Sequence, residues 1–180
     1  MDHDTAARIR LLCLDVDGVM TDGRLQLDAD GREAKSFHIH DGLGIKLWQA
    51  TGRQVAVITG RSSKPVRDRC QELGITLLAD GQEKKWPAWN NILAKAGVSA
   101  EASAMIGDDL PDLPLIQAAG IGIAVANAVP EVKDMADLVT TRAGGDGAIR
   151  EAIQLILTQT GEWKSLVQSF TSDLAEVPQS

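Results

Sequence analysis

The residues best suited to catalysis or metal binding are two aspartates that follow a short apolar run. Leu11 to Leu14 is too short for a helix and too uniformly apolar for a half-exposed strand, so it is predicted to be a buried central strand. Asp15 and Asp17 leave its carboxyl end, and side chains two positions apart point the same way along an extended chain. Two carboxylates this close repel unless a cation lies between them. The pair indicates either a Mg²⁺ site or, more simply, an ordinary Asp-x-Asp-Gly turn.

Three further segment ends carry polar side chains suited to binding or transferring phosphate. They are Thr59-Gly60-Arg61 after one apolar run, Lys85 at a predicted helix start, and Asp108, Asp109 and Asp112 after another apolar run. A lysine and a metal ion can neutralise a transferred phosphoryl group while a carboxylate attacks phosphorus. Each feature alone is ordinary, since Asp-Asp before Leu-Pro is often a helix cap and Lys84 competes with Lys85. Together they favour phosphoryl transfer.

The segments that must position these residues alternate between strand and helix patterns. Predicted strands cover 11–14, 54–59, 75–79, 103–106, 121–125 and 138–139. Predicted helices cover 42–51, 65–73, about 85–96, 129–136 and 148–157, with a short one ending near 119. Asp30-Gly31 between alternating segments predicts a hairpin over 24–37. The sequence therefore predicts an α/β fold, a three-layer Rossmann-like parallel sheet with a projecting β-hairpin.

The amino-acid composition limits the number of domains, the kinds of partner and the compartment that can be expected. The 180 residues are 44% apolar, which is enough for one domain over 1–180 with its core at 10–160. A net charge of −7 argues against nucleic acid and against an anionic membrane surface as partners. Cys13 and Cys70 lie in apolar patterns and indicate buried thiols in a reducing compartment. No signal-peptide core is evident in residues 1–10, so a cytoplasmic protein is expected.

Four motifs resemble those of the haloacid dehalogenase superfamily of aspartate-nucleophile phosphatases. Residues 14–21, Leu-Asp-Val-Asp-Gly-Val-Met-Thr, are similar to its first motif, and Ile58-Thr59-Gly60-Arg61 to its second. Lys85 stands for the third motif, and residues 107–112, Gly-Asp-Asp-Leu-Pro-Asp, resemble the fourth. The match extends over about residues 10–157, so the resemblance implies this family's fold and chemistry for nearly the whole chain.

The resemblance implies a role for each matched residue. Asp15 would attack phosphorus, and Asp17 would protonate the leaving oxygen and later deprotonate water. Residues expected at the substrate are Asp17, Thr59, Gly60, Arg61 and Lys85. The Mg²⁺ ligands would be Asp15, the Asp17 backbone carbonyl and Asp108, with Asp109 or Asp112 in the outer shell.

The segments between the motifs are occupied by the hairpin and by single helices, which leaves no room for a lid domain. Thr21-Asp22-Gly23 and Ala143-Gly144-Gly145 resemble lidless family members that hydrolyse 3-deoxy-D-manno-octulosonate 8-phosphate in lipopolysaccharide biosynthesis. Arg61 would suit the carboxylate of such a sugar acid by bidentate pairing. Asp146 and His40 stand where those members usually have arginine. A phosphatase for a nine-carbon keto sugar acid 9-phosphate and a nonenzymatic assembly module therefore remain as alternatives.

Two expectations concern assembly and the chain end. A lone two-stranded hairpin is marginal in water, so the hairpin is expected to pack against other copies, and the resemblance implies a homotetramer. Residues 161–180 have a polar, loosely patterned composition and are expected to form a tail that either closes over a site or stays disordered. His38 and His40 are expected to alternate along a strand.

Overall fold

The computed structural model describes residues 1–171. Its strands, in chain order, are β1 (Leu11–Leu14), β2 (Gln26–Leu27), β3 (Glu33–Ala34), β4 (Gln54–Ile58), β5 (Leu77–Ala79), β6 (Ser103–Gly107), β7 (Ile121–Ala124) and β8 (Leu138–Val139). Six of them form one parallel sheet in the order β5-β4-β1-β6-β7-β8, and β2 pairs with β3 in a separate antiparallel hairpin. β1 is buried at every position and pairs with β4 on one side and β6 on the other.

Helices cover both faces of this sheet. They are α1 (His3–Arg8), α2 (Ile39–Ala50), α3 (Lys64–Leu73), α4 (Lys85–Ala96), α5 (Leu113–Ala118), α6 (Pro130–Met135), α7 (Ala148–Gln159) and α8 (Glu162–Ser169). α2 contacts α3 and α7, whereas α5 contacts α4 and α6. Right-handed crossovers place these two groups on opposite faces, because the chain reverses direction across the sheet after β5. The predicted three-layer Rossmann-like fold with a projecting hairpin is confirmed.

The ends of several elements follow from single residues. Gly74 and Gly97 adopt the left-handed conformation that ends α3 and α4, as their positions after apolar helical patterns predict. Asp28 at the hairpin turn accepts hydrogen bonds from the backbone N–H groups of Asp30 and Arg32, and Gly31 takes a positive φ. The hairpin is shorter than its pattern suggests, with two paired residues in each strand.

The start of α2 differs from the sequence expectation. The helix begins at Ile39 rather than Gly42, because the imidazole Nδ1 of His38 accepts a hydrogen bond from the His40 backbone N–H and caps the first turn. The expectation that His38 and His40 alternate on a strand is therefore wrong. β5 also begins two residues later than predicted, at Leu77.

The expectation of a loosely patterned tail is wrong for residues Glu162–Ser169, which form α8. Glu162 binds the buried guanidinium of Arg53 through two hydrogen bonds of 3.0 and 2.7 Å, and Arg150 lies over the Trp163 ring. Arg53 directly precedes β4, so α8 is held near the amino ends of the strands, far from their carboxyl ends. Residues 172–180, the rest of the expected tail, lie outside the described part of the chain.

The core contains the residues that the apolar patterns predict. Trp48 and Trp89 are buried, and Cys13 and Cys70 are buried free thiols. Burial raises the pKa of Cys13 to about 12 and that of Cys70 to about 11, which keeps both thiols protonated and unreactive. Among residues 1–171, no helix has the length and apolar character needed to cross a membrane.

Candidate active site

The carboxyl ends of three adjacent strands bring the predicted motifs together. Asp15 follows β1, Thr59 follows β4, and Asp108 follows β6, and these strands are neighbours with β1 in the middle. From β1 the connections lead to β4 and β5 on one side of the sheet, and from β6 they lead to β7 and β8 on the other side, so the switch point lies between β1 and β6. Open α/β sheets bind ligands in the crevice at such a switch point. The topology therefore places a crevice between Asp15 and Asp108.

A buried lysine joins two carboxylates at the centre of this crevice. The Lys85 Nζ atom lies 2.7 Å from Asp15 Oδ1 and 2.7 Å from Asp112 Oδ1, and all three side chains are buried. Lys85 is the first residue of α4, whereas Lys84 is the exposed residue before that helix. Burial opposes the charged form of Lys85, but Asp15 and Asp112 outweigh it and raise the pKa of Lys85. The lysine is therefore a fixed cation with one further N–H donor for a ligand.

Three carboxylates converge beside this lysine. Oxygens of Asp15, Asp108 and Asp112 all lie within 4.8 Å of one another. Asp108 Oδ1 is buried and has no hydrogen-bond partner within the described residues. The Asp112 Oδ2 atom accepts the backbone N–H groups of Asp108 and Asp109, which fixes the loop that follows β6.

The three carboxylates carry more negative charge than the single cation Lys85 can neutralise. Burial, and then the charge of Asp112, raises the pKa of Asp15 to about 8 and that of Asp108 to about 6. A hard divalent ion with oxygen ligands would relieve this repulsion and give the orphaned Asp108 oxygen a partner. The residues present thus fit a Mg²⁺ ion held by Asp15 and Asp108.

Gly18 makes the close approach of these loops possible. It has φ +100°, and a Cβ atom at this position would overlap the Asp108 carboxylate. The Gly18 carbonyl accepts a hydrogen bond from Asn127 Nδ2, and Asn127 Oδ1 accepts the Gly144 N–H at 2.6 Å. A Cβ on Gly144 would in turn overlap the Gly18 carbonyl. Asn127 therefore ties the Gly144-Gly145 loop to the loop that carries the two aspartates.

Asp17 faces a different set of partners from Asp15. Its Oδ1 accepts a short hydrogen bond from Lys35 Nζ, and its Oδ2 lies 3.9 Å from Arg61 Nε. Glu33 Oε1 lies 3.1 Å from the same Lys35 atom and 3.2 Å from Arg61 Nη2. The Asp17 side chain is thus oriented by two cations and lies outside the converging carboxylates that Asp15 joins.

The turn after β4 presents backbone and side-chain groups to the crevice. Thr59 is buried, and its Oγ1 accepts the Arg61 backbone N–H at 3.3 Å. Gly60 is exposed, and the space beside its Cα is open apart from the Gln82 carbonyl at 3.9 Å. The Arg61 side chain is half exposed, so its guanidinium can reach a ligand in the crevice.

Several residues lie apart from this crevice or were not singled out by the sequence. Asp109 is exposed and caps the short turn at Leu110–Asp112. Asp146 is exposed, and its Oδ1 lies 3.9 Å from His38 Nε2. No local pattern in the sequence singles out Glu33, Lys35 or Asn127, because the partners that connect them to the crevice are distant in the chain and only the fold brings them together.

Comparison with known proteins finds a family and several relatives. The sequence model of the haloacid dehalogenase-like hydrolases matches residues 78–153. The 3-deoxy-D-manno-octulosonate 8-phosphate phosphatase KdsC of Escherichia coli K12 is 45% identical over 157 residues, covering 87% of this chain and 84% of that protein. The enzyme of the same name from Haemophilus influenzae is 46% identical over 154 residues, covering 86% of each.

Solved structures are similar as well. A crystal structure of 3-deoxy-D-manno-octulosonate 8-phosphate phosphatase from Moraxella catarrhalis, in complex with a magnesium ion, a phosphate ion and a KDO molecule, has a TM-score of 0.90 at 39% identity. The alignment covers 93% of this chain and 97% of that one. With 45% identity to KdsC over 87% of its length and a fold shared with a solved phosphatase structure, the chain belongs to the haloacid dehalogenase-like hydrolases.

Proposed function

We propose that this protein is a Mg²⁺-dependent phosphatase that hydrolyses 3-deoxy-D-manno-octulosonate 8-phosphate to 3-deoxy-D-manno-octulosonate and phosphate, in lipopolysaccharide biosynthesis. The observation that carries the proposal is the buried Asp15 carboxylate, held by Lys85 beside Asp108 at the switch point of the sheet. The similarity to phosphatases of this substrate along most of both chains supports the choice of substrate.

The reaction uses Asp15 as the nucleophile. Its carboxylate attacks phosphorus and forms an aspartyl phosphate, which water then hydrolyses. Lys85 holds the Asp15 oxygen in place and offers its remaining N–H donor to a phosphoryl oxygen. Thr59 and the backbone at Gly60 bind the other phosphoryl oxygens from the β4 side of the crevice.

Asp17 acts as the general acid and then as the general base. It lies two residues beyond the nucleophile, with its side chain partly exposed toward the hairpin and the Arg61 loop. It gives a proton to the leaving oxygen of the sugar, and its carboxylate then takes a proton from the attacking water. When bound, Mg²⁺ supplies positive charge to the phosphoryl group, and Asp15, the Asp17 carbonyl and Asp108 would hold it.

Measuring phosphate release from candidate substrates is the direct test of this proposal. We expect phosphate release from the eight-carbon keto acid phosphate with Mg²⁺ present, and loss of that release when the metal is chelated. The same assay on a nine-carbon keto sugar acid 9-phosphate tests the alternative substrate, which the replacement of two usual arginines by His40 and Asp146 keeps open. Faster release from the nine-carbon ester would overturn the substrate assignment, and no release from any ester would favour an assembly module.

Arg61→Glu is expected to lower kcat/KM for the eight-carbon substrate far more than for p-nitrophenyl phosphate, which has no carboxylate. The Arg61 guanidinium is half exposed, and pairing with a substrate carboxylate would be charge-assisted and bidentate. We expect kcat/KM for the sugar acid phosphate to fall by about 10²-fold, from a lost pair and a new repulsion. Arg67→Glu, on an arginine that pairs with Asp80, is the matched control. Equal losses on both esters would assign Arg61 to phosphate binding or to the fold.

We further propose that the protein is a cytoplasmic homotetramer. Leu25 and Leu27 of the hairpin are 55% and 62% exposed, and within residues 1–171 β2 pairs only with β3, so the hairpin offers apolar surface to other copies. The two buried thiols are consistent with a reducing compartment. Light scattering should give the mass of a tetramer, and Leu27→Glu should lower it while Met135→Glu does not. A wild-type monomer with full activity would contradict the proposal.

A further inference from the structure

Lys35 is buried although it lies on the exposed hairpin. It follows β3, and its side chain is 1% exposed, whereas the neighbouring Ala34 and Ser36 are exposed. A lysine normally keeps its ammonium group in water, and burial is tolerated when carboxylates offset the lost hydration. Here the Nζ atom binds Asp17 Oδ1 and lies 3.1 Å from Glu33 Oε1.

We propose that Lys35 is a positioning residue for the acid and base step, and that it fixes which oxygen of Asp17 carries the proton. The inference rests on the proposed function, in which Asp17 is the general acid and base. It adds a hairpin residue to the machinery of that reaction and assigns the transferred proton to Asp17 Oδ2.

The assignment of the proton follows from the chemistry of the ammonium group. A lysine Nζ atom can only donate hydrogen bonds, so the Asp17 oxygen that it binds must accept. In the protonated acid, the proton therefore resides on Oδ2. That oxygen lies 3.9 Å from Arg61 Nε, beyond hydrogen-bond distance, so it can bond to a substrate oxygen that enters the crevice.

The proton path then balances in both halves of the reaction. In the first half, the bond from Asp15 to phosphorus forms, the bond from phosphorus to the sugar oxygen breaks, and the Asp17 Oδ2 proton moves to that oxygen. In the second half, a water oxygen bonds to phosphorus, the Asp15 bond breaks, and Oδ2 takes the proton from the water. Lys35 remains charged and bound to Oδ1 throughout.

Glu33 completes the arrangement. Its Oε1 atom lies near both Lys35 Nζ and Arg61 Nη2, so two carboxylates and two cations alternate around a closed ring. When Asp17 is ionised the ring has no net charge, which lowers the cost of burying Lys35. When Arg61 turns toward a substrate carboxylate, Lys35 still holds Asp17, so the orientation of the acid does not depend on Arg61.

The test compares two esters that differ in their need for a general acid. The leaving oxygen of the sugar acid phosphate is strongly basic and needs a proton, whereas p-nitrophenolate leaves without one. We expect Lys35→Met to lower the single-turnover rate of sugar release from the sugar acid phosphate by about tenfold or more, part of a general-acid contribution. The single-turnover rate of p-nitrophenol release should change by less than about threefold, because this measurement reports only the first half of the reaction, in which p-nitrophenolate needs no acid. Lys35→Arg should restore part of the loss.

Matched variants separate a loss of Asp17 orientation from a general loss of protein structure. Arg32→Met removes a cation from the same hairpin, where Arg32 pairs with Asp28 and Asp30, and should leave both rates unchanged. If Lys35→Met does not fold, Lys35→Gln, which keeps a donor without the charge, is measured in its place. In an Asp17→Asn background, Lys35→Met should cause little further loss, because the two residues act through one step.

The outcomes distinguish this inference from the proposed function. Equal losses on the two esters, or full additivity with Asp17→Asn, would reduce Lys35 to a structural role and overturn the inference. If Asp17→Asn loses activity while Lys35→Met keeps the wild-type rates, the inference fails and the proposed function stands. Full activity in Asp17→Asn itself would overturn the proposed role of Asp17, and with it the inference.

Discussion

Asp15→Asn is expected to abolish turnover while the protein stays folded. The amide has the shape of the carboxylate but is too poor a nucleophile to form an acyl phosphate, so we expect a loss of about 10⁴-fold or more in kcat. Phosphate release from the sugar acid phosphate, measured with saturating Mg²⁺, gives this value. Asp68→Asn, at an exposed carboxylate of α3 that pairs with Lys64, should keep most of the activity.

The stability of Asp15→Asn provides a second readout. Burial raises the pKa of Asp15, which means that the metal-free fold disfavours the ionised form of this side chain. The stability that protonated Asp15 contributes is present below the ordinary pKa value of 3.8 and is lost progressively as the pH rises to the raised value of about 8. Above that pH a neutral amide should therefore not lower the melting temperature of the metal-free protein. Ordinary turnover in this variant would exclude Asp15 as the nucleophile.

Asp17→Asn should lower kcat for the sugar acid phosphate by about 10²- to 10⁴-fold, the usual range for loss of a general acid or base. Mg²⁺ binding should be retained, because the proposed ligand from this residue is its backbone carbonyl. Asp22→Asn, an exposed carboxylate in the same loop, is the matched control. Stopped assays with both esters measure the effect, and a wild-type rate for Asp17→Asn would remove its assigned role.

The central strands and the crevice at their ends could be predicted because the relevant signals are local. Leu11–Leu14 is an uninterrupted apolar run, and Asp15 follows it directly, so the position of the proposed nucleophile depends only on where the strand ends. The parallel order of β4, β1 and β6 then brings Thr59 and Asp108 to the same edge. The preference for Lys85 over Lys84 agrees with their positions, since Lys85 points inward as the first residue of α4.

The remaining features depend on contacts between distant segments. Helix α8 has no strong local signal, and it is held by Glu162, which pairs with Arg53, 109 residues earlier in the chain. Lys35 has the sequence context of an exposed hairpin lysine, and only its contact with Asp17 shows otherwise. The early start of α2 depends on an unusual cap, His38, which propensity rules do not favour over serine, threonine, aspartate or asparagine.

Trapping the covalent intermediate tests the central claim most directly. In Asp17→Asn the second half of the reaction lacks its base, so phosphoenzyme should accumulate when p-nitrophenyl phosphate, whose leaving group needs no acid, is supplied with Mg²⁺. Acid-quenched protein is digested and its peptides are weighed by mass spectrometry. The account predicts one added phosphoryl group on the peptide that contains Asp15, absent when Mg²⁺ is chelated and absent from the Asp15→Asn/Asp17→Asn double variant. A phosphoryl group on another residue, or single-turnover phosphate release with no phosphorylated peptide at any time, would contradict it.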